Sequence, residues 1–254
     1  MMHTYVFDID GTLSHDGKKV NDTLCRRISR LSLHHPVIFA SARPIRDMLP
    51  MLSDELHSSL FIGCNGGMAW KEGQTLFSAL LEPQFVTSIL MRLNKRQIPY
   101  VLDGEWNYAL SSTHHTFHDY IRSLHHHEQK SHERKNHEIS EQALIAGGVM
   151  KILILSDQHK ADILAVAQDE NVSVHTHRHD NFYDFTAQGN NKYRTLSTLI
   201  GTDKYIAFGN DQNDFLMLEK AEIAVFIGDQ HDFKHATYYA STEDIPTLLD
   251  TLEI

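Results

Sequence analysis

The chain has 254 residues, 41% apolar and 22% charged, a mix that excludes a disordered or fibrous protein and allows a sizeable core in one large domain or two modest ones. A formal net charge of -10 leaves no general basic surface to attract a polyanion, so nucleic acid is not an expected partner. Met1-Met2-His3-Thr4 runs into a strand-like segment without the features of a signal peptide, and no apolar run approaches the ~20 residues of a membrane-spanning helix, so the expectation is a cytoplasmic protein with no membrane partner.

In chain order, Tyr5-Val6-Phe7 followed by Asp8-Ile9-Asp10 is an apolar run ending in acid, the pattern of a strand buried on both faces of a parallel sheet. A helical stretch from about Asn21 to Leu33 precedes a second apolar run, Pro36 to Ala40, which ends at Ser41-Ala42-Arg43-Pro44. Strand, helix, strand is a right-handed crossover unit. Leu60-Phe61-Ile62 leads into Gly63-Cys64-Asn65-Gly66-Gly67, and Met68-Ala69-Trp70 and Thr75-Leu76-Phe77 flank the turn-like Lys71-Glu72-Gly73-Gln74, predicting a strand and then a hairpin.

The middle has a different character. A helix is expected from about Pro83 to Lys95, then strands at Tyr100-Val101-Leu102, Trp106 to Leu110 and Met150 to Leu155, a helix from about Gln158 to Gln168, and short strands near Val172 to His175 and Phe182 to Phe185. These short alternating strands read as an inserted α+β layer, residues 82–186, between parts that build one doubly wound parallel sheet, residues 1–81 and 187–254. Near the C-terminus Tyr205-Ile206-Ala207-Phe208 ends at Gly209-Asn210-Asp211, a helix follows through Leu218, and Ile223 to Phe226 ends at Ile227-Gly228-Asp229.

Eight histidines fall between His114 and His137, a tract that reads either as metal-binding or as a solvated helix and loop, with no companion carboxylate or cysteine spacing to set a geometry. Cys25 and Cys64 sit in no close-spaced metal or redox pattern and are expected to be reduced structural thiols.

Asp8-Ile9-Asp10-Gly11-Thr12 is the most informative segment. Residues two apart on an extended chain project to one side, so two carboxylates share one site at the open end of a buried strand. Like charges held close raise a proton affinity or demand a cation, which points to acid–base work, metal binding or both. A solvent-exposed acidic turn fits poorly with the apolar residues leading into it, and Gly11 lets the chain turn at once.

This segment matches the first motif, D-x-D-G-T, of the haloacid dehalogenase-like superfamily as its phosphatases carry it. The resemblance continues in order through the chain. Ser41 ends the second strand as the hydroxyl of motif two, with Ala42 where a glycine usually follows. Lys192 in Asn190-Asn191-Lys192 is similar to motif three, and Gly209-Asn210-Asp211-Gln212-Asn213-Asp214 has the spacing of G-D-x-x-N-D, with Asn210 in place of the first acid. Asn65-Gly66-Gly67 resembles the N-G-A turn of the Cof-like branch, in which a type II cap is inserted between motifs two and three.

The resemblance implies a Rossmann-like core with an α+β cap and a magnesium-dependent phosphatase acting on a small phosphate monoester such as a sugar phosphate or phosphorylated cofactor. Asp8 is then the nucleophile and Asp10 the acid and base; Ser41 and Lys192 hold the phosphoryl oxygens. Mg2+ is held by Asp8, Asp10 and Asn210, the asparagine with less charge than an aspartate; Asp211 compensates for it, either as a direct ligand or from behind, and Asp214 orients a metal-bound water. Arg43, Asn65, Gly66 and Asn213 belong to the site loops. Trp106, His177, Arg178, His179 and Asp180 are cap candidates for facing the leaving group. A phosphomutase or phosphotransferase, and a non-catalytic phosphate-binding module, are the competing readings, and a monomer or small homo-oligomer is expected.

Overall fold

The computed structural model describes residues 3–15, 17–111, 137–168, 170–176 and 182–252. The His-rich tract between 114 and 136, and the cap candidates His177, Arg178, His179 and Asp180, lie outside the described residues. By its internal contacts the chain forms two compact units, Met1–Phe77 with Asn191–Ile254, and Ser78–Asn190.

The elements run in order as β1 (Thr4–Phe7), α1 (Asp22–Ser32), β2 (Val37–Ala40), α2 (Ile45–Met48), β3 (Leu60–Gly63), β4 (Met68–Lys71) and β5 (Gln74–Ser78). Then come α3 (Pro83–Lys95), β6 (Tyr100–Asp103), β7 (Tyr108–Leu110), α4 (Glu141–Gly147), β8 (Lys151–Ile154), α5 (Lys160–Gln168), β9 (Val172–Thr176) and β10 (Tyr183–Ala187). The chain closes with α6 (Lys192–Ile200), β11 (Tyr205–Gly209), α7 (Phe215–Glu219), β12 (Ile223–Ile227), β13 (Tyr238–Ala240) and α8 (Ile245–Leu252).

The larger unit is built on an eight-stranded sheet in the order β13-β12-β11-β1-β2-β3-β4-β5, parallel from β13 to β3 and antiparallel from β3 to β4. The chain winds outward from β1 in one direction through β2 and β3, and later in the other through β11 and β12. The reversal beside β1 opens a crevice at the strands' carboxyl ends, where ligands of such sheets sit. Register there is set by rings. Phe208, Phe7, Phe39, Phe61 and Trp70 lie directly opposite one another across five strands, with successive ring centroids 4.7, 6.1, 5.3 and 5.7 Å apart. Each such pair adds roughly 0.5–1.5 kcal/mol beyond area burial, and a one-residue slip would break the whole row.

α1 packs through Leu24, Cys25, Ile28 and Leu31, one face at helical spacing, and starts where the Asn21 side chain accepts from the Thr23 amide at 2.8 Å. Both cysteines are buried thiols outside any disulfide among the described residues.

The smaller unit is a five-stranded antiparallel sheet, β7-β6-β8-β10-β9. One of its faces carries Tyr100, Leu102, Ile152, Ile154, Tyr183 and Phe185 into a core with Phe85, Val86, Ile89, Leu90 and Leu93 of α3. Its second strand is shorter than the Trp106–Leu110 run predicted, because the Gly104 amide donates to Asn107 O at 2.9 Å and closes a turn over the first two residues. α5 likewise begins at Lys160 rather than Gln158: the Gln158 amide is taken by Ser156 Oγ at 3.1 Å. Among the described residues, no helix is long and apolar enough to cross a membrane.

Candidate active site

The site residues of the larger unit gather where β1, β2 and β11 end. Asp8 follows β1 directly, its amide donating to Phe208 O at 2.9 Å, and is buried. Gly11 at φ +79° then turns the chain back, so that the Thr12, Leu13 and Ser14 amides all donate to Ile9 O.

Lys192 opens α6, whose first turn is capped by Asn191 accepting from the Arg194 amide at 2.8 Å. Its Nζ is fully buried and donates to Asp8 Oδ1 and to Asp214 Oδ1, both at 2.6 Å. The other oxygen of Asp214 accepts from the Asn210 and Asp211 amides at 3.0 and 3.2 Å, so that carboxylate ties the loop after β11 to the lysine. Gly209 makes the approach possible, since a Cβ there would stand 2.7 Å from Asp214 Cβ.

Two buried carboxylates facing one ammonium set the electrostatics. Burial, with Asp214 beside it, pushes the Asp8 carboxyl up to about 7, while Lys192 pulls against the rise. Burial alone would lower the Lys192 ammonium, but Asp214 and Asp8 outweigh it and hold its pKa above the ordinary value. A cation beside Asp8 would favour its charged form in the same way as the lysine does.

Asp10 is partly exposed and turned to Arg43, which meets it edge-on: Nε to Oδ2 and Nη2 to Oδ1, both 2.7 Å, with Nη2 also donating to Gly17 O at 3.2 Å. Ser41 is buried, and its hydroxyl accepts from the Arg43 amide at 3.1 Å. The Ser41 side chain therefore shapes the turn after β2, while α2 begins at Pro44 without any side-chain cap. Asn65, in the left-handed region at φ 53°, has its amide on Ser41 O and its Oδ1 on Asn213 Nδ2 at 3.0 Å. Gly66 presses against the start of α6: a Cβ there would lie 2.3 Å from Asn191 O, and Gly66 O accepts from Thr195 Oγ1 at 2.6 Å.

Asn210 faces this group from β11. One end of its side-chain amide lies 3.1 Å from Asp8 Oδ2, 2.9 Å from Asp10 O and 3.1 Å from Thr12 Oγ1. Magnesium takes oxygens at 2.0–2.1 Å in an octahedron, so adjacent ligands are separated by about 2.9–3.0 Å. The inward end of the Asn210 amide lies 3.1 Å from Asp8 Oδ2 and 2.9 Å from Asp10 O, close to that spacing, so these residues fit the ion if the amide presents its oxygen and Asp10 its main-chain carbonyl. Among the described residues, no three His, Cys, Asp or Glu side chains group as a metal site.

Thus Asp8, Lys192, Asp214 and Asn210 form one hydrogen-bonded group and Asp10, Arg43, Ser41, Asn65 and Asn213 a second, with the inward end of the Asn210 amide 2.9 Å from Asp10 O between them and Gly66 beside them through Thr195. Asp211 is the outer member of the first group, its side chain accepting from the Gln212 amide at 2.7 Å as an N-cap. Trp106 belongs to the smaller unit, its ring 6.5 Å from that of His137. Sequence reasoning passed over Thr12, buried beside Asn210, although it lies inside the first motif.

A family profile described as haloacid dehalogenase-like hydrolase matches residues 5–244. The chain therefore belongs to that family. Solved structures with this fold include a haloacid dehalogenase-like hydrolase from Bacteroides thetaiotaomicron, at 17% identity and a TM-score of 0.82 with 99% of this chain and 100% of that one covered. TM0651 from Thermotoga maritima is 18% identical over 99% and 97% of the two chains, with a TM-score of 0.79. BT4131, described as a HAD subclass IIB sugar phosphatase, is 17% identical over 99% of both, with a TM-score of 0.77. Among curated protein sequences none matches.

Proposed function

We propose that the protein is a magnesium-dependent phosphatase that hydrolyses a small soluble phosphate monoester, a sugar phosphate or phosphorylated cofactor, through an aspartyl phosphate on Asp8. The observation that carries this reading is a buried carboxylate, Asp8, at the end of the central strand, with Lys192 Nζ 2.6 Å from one oxygen and the Asn210 amide 3.1 Å from the other.

Phosphoryl transfer asks mainly for positioning and charge neutralisation. Magnesium, held by Asp8, the Asp10 carbonyl and Asn210, would supply charge that screens carboxylate from phosphate. Lys192 opposes the rise that burial gives the Asp8 carboxyl and so favours its ionised, nucleophilic form. An Asp8 oxygen bonds to phosphorus as the bond to the leaving oxygen breaks, and Asp10 gives that oxygen its proton. Asp10 then takes a proton from water, whose oxygen attacks phosphorus and releases inorganic phosphate and Asp8. Ser41, Lys192 and the amides after Asp8 hold the phosphoryl oxygens. Asn65 and Asn213 hold the loops beside them, and Asp211 and Asp214 hold the loop that carries Asn210. Residues 78–190, the smaller unit, act as the cap that selects the leaving group.

The test is hydrolysis of an aryl phosphate and of a panel of phosphorylated metabolites with and without magnesium. Release of inorganic phosphate that requires magnesium and is abolished in Asp8→Asn is expected. Equal rates in the two proteins would sink the mechanism, and retention of the phosphoryl group on an organic product would make the protein a phosphotransferase.

A further inference from the structure

Asn210 stands where the family pattern places an aspartate, and an amide differs from a carboxylate in having a donor end as well as an acceptor end. The end that faces inward meets Asp8 Oδ2, Asp10 O and Thr12 Oγ1 at 3.1, 2.9 and 3.1 Å. Asp8 Oδ2, when ionised, and Asp10 O are acceptors only, whereas the Thr12 hydroxyl serves either kind of partner. If the inward end is oxygen, lone pairs confront lone pairs unless a cation lies among them. If it is nitrogen, its two hydrogens go to those acceptors and no cation is needed. The ends are nearly the same size and fit the same space, against Gly11, where any Cβ would come within 2.0 Å of Asn210 Nδ2.

We propose that the Asn210 side chain turns over with metal occupancy: its oxygen is a ligand when magnesium is bound, and its N–H groups take the oxygens of Asp8 and Asp10 when it is not. The inference rests on the magnesium reading above. It explains why an asparagine serves here. With both carboxylates ionised, Asp8, Asp214 and Lys192 together carry one net negative charge, two carboxylates against one ammonium, in a buried cluster. An aspartate at 210 would add a second negative charge, tolerable with the ion and costly without it. The asparagine leaves the metal-free site paired at the expense of weaker metal binding. The protein therefore stays folded through loss and gain of its ion.

The experiment compares wild type, Asn210→Asp and Asn210→Ala by thermal unfolding in chelator and by magnesium titration calorimetry. Without metal, Asn210→Asp should melt at least ~3 °C below wild type. Its magnesium dissociation constant should be about ten-fold smaller, and its metal-induced rise in melting temperature larger. Asn210→Ala, lacking both ends of the amide, should melt below wild type without metal and bind magnesium more weakly. An Asn210→Asp protein as stable as wild type in chelator, or a dissociation constant the same in all three, overturns the inference while leaving the magnesium reading intact. No metal-induced shift in any of them overturns both. If Asn210→Asp does not fold under either condition, Asn210→Ala decides: wild-type magnesium affinity in that variant overturns the inference.

Discussion

Arg43 grips the Asp10 carboxylate by two parallel hydrogen bonds of 2.7 Å, and its Nη2 also donates to Gly17 O. A fork of this kind fixes the direction of the carboxylate as well as its charge. Asp10 is otherwise 39% exposed and would rotate freely. In the proposed reaction Asp10 must hand a proton to one particular oxygen, so Arg43 is a positioning residue. Arg43→Met should lower kcat about 10²-fold on alkyl phosphates, whose leaving groups need that proton. The loss should be under about ten-fold on aryl phosphates, whose leaving groups depart unprotonated. Arg43→Lys, which restores the charge without the fork, should fall between. A loss of equal size on both substrate classes would reduce Arg43 to a structural role.

Lys192 donates to two buried carboxylates at 2.6 Å each, Asp8 and Asp214. Lys192→Met would leave Asp8 and Asp214 buried together without their ammonium, at a cost of about 3–5 kcal/mol. Because Asp214 raises the Asp8 carboxyl, removing both the lysine and that charge should be milder than removing the lysine alone. Urea unfolding in metal-free buffer should place Lys192→Met/Asp214→Asn above Lys192→Met in stability, by about 1 kcal/mol or more. Both variants should lack aryl phosphate hydrolysis.

The first strand and the carboxylates after it were readable because a short apolar run ending in acid, glycine and hydroxyl leaves few physical alternatives. The strand–loop pattern at Ser41, Asn65 and Asn210 was readable for the same reason. What linear reading could not supply is who faces whom. Arg43 and Asp10 are 33 positions apart and meet because β1 and β2 are neighbours; Asn65 and Asn213 are 148 apart and meet through β3 and the loop after β11. β13 and α8 were not foreseen. β13 is three residues long, with Tyr238 exposed and its two neighbours half-buried, and so shows no continuous apolar run. The turn that shortens β7 depends on a single main-chain bond from Gly104 that no periodicity reveals.

The row of rings beneath the site gives the sheet its register, with Phe39 at its centre between Phe7 and Phe61. Phe39 is completely buried and lies two residues before Ser41. Phe39→Ala should destabilise the protein by about 3–5 kcal/mol through the cavity left behind. Thermal unfolding would read this as a fall of roughly 2–4 °C for each kcal/mol. Phe39→Leu, which keeps most of the volume, should cost much less, and a fall as large as that of the alanine variant would show that ring-to-ring geometry rather than filled space sustains the row.

Alkaline stability offers a separate check on the cores of the two units. Burial, with the charge of Asp157 adding to it, pushes Tyr183 up to about 12, and its hydroxyl is buried with no hydrogen-bond partner among the described residues. Burial likewise raises Tyr100, whose hydroxyl bonds Asn94 and Glu141, and Tyr205, which donates to Met217 O at 2.7 Å. In the unfolded chain each titrates near 10. Between pH 10 and 12 the folded protein therefore retains protons that the unfolded chain releases, so stability is complete below pH 10 and falls as pH rises. Each tyrosine contributes a slope of about 1.4 kcal/mol per pH unit in that window. Urea unfolding should show stability level from these groups up to about pH 9.5 and declining above pH 10. Tyr183→Phe should remove about one tyrosine's share of the slope, and a slope unchanged by that substitution would mean that Tyr183 titrates in the folded protein as it does in the unfolded chain.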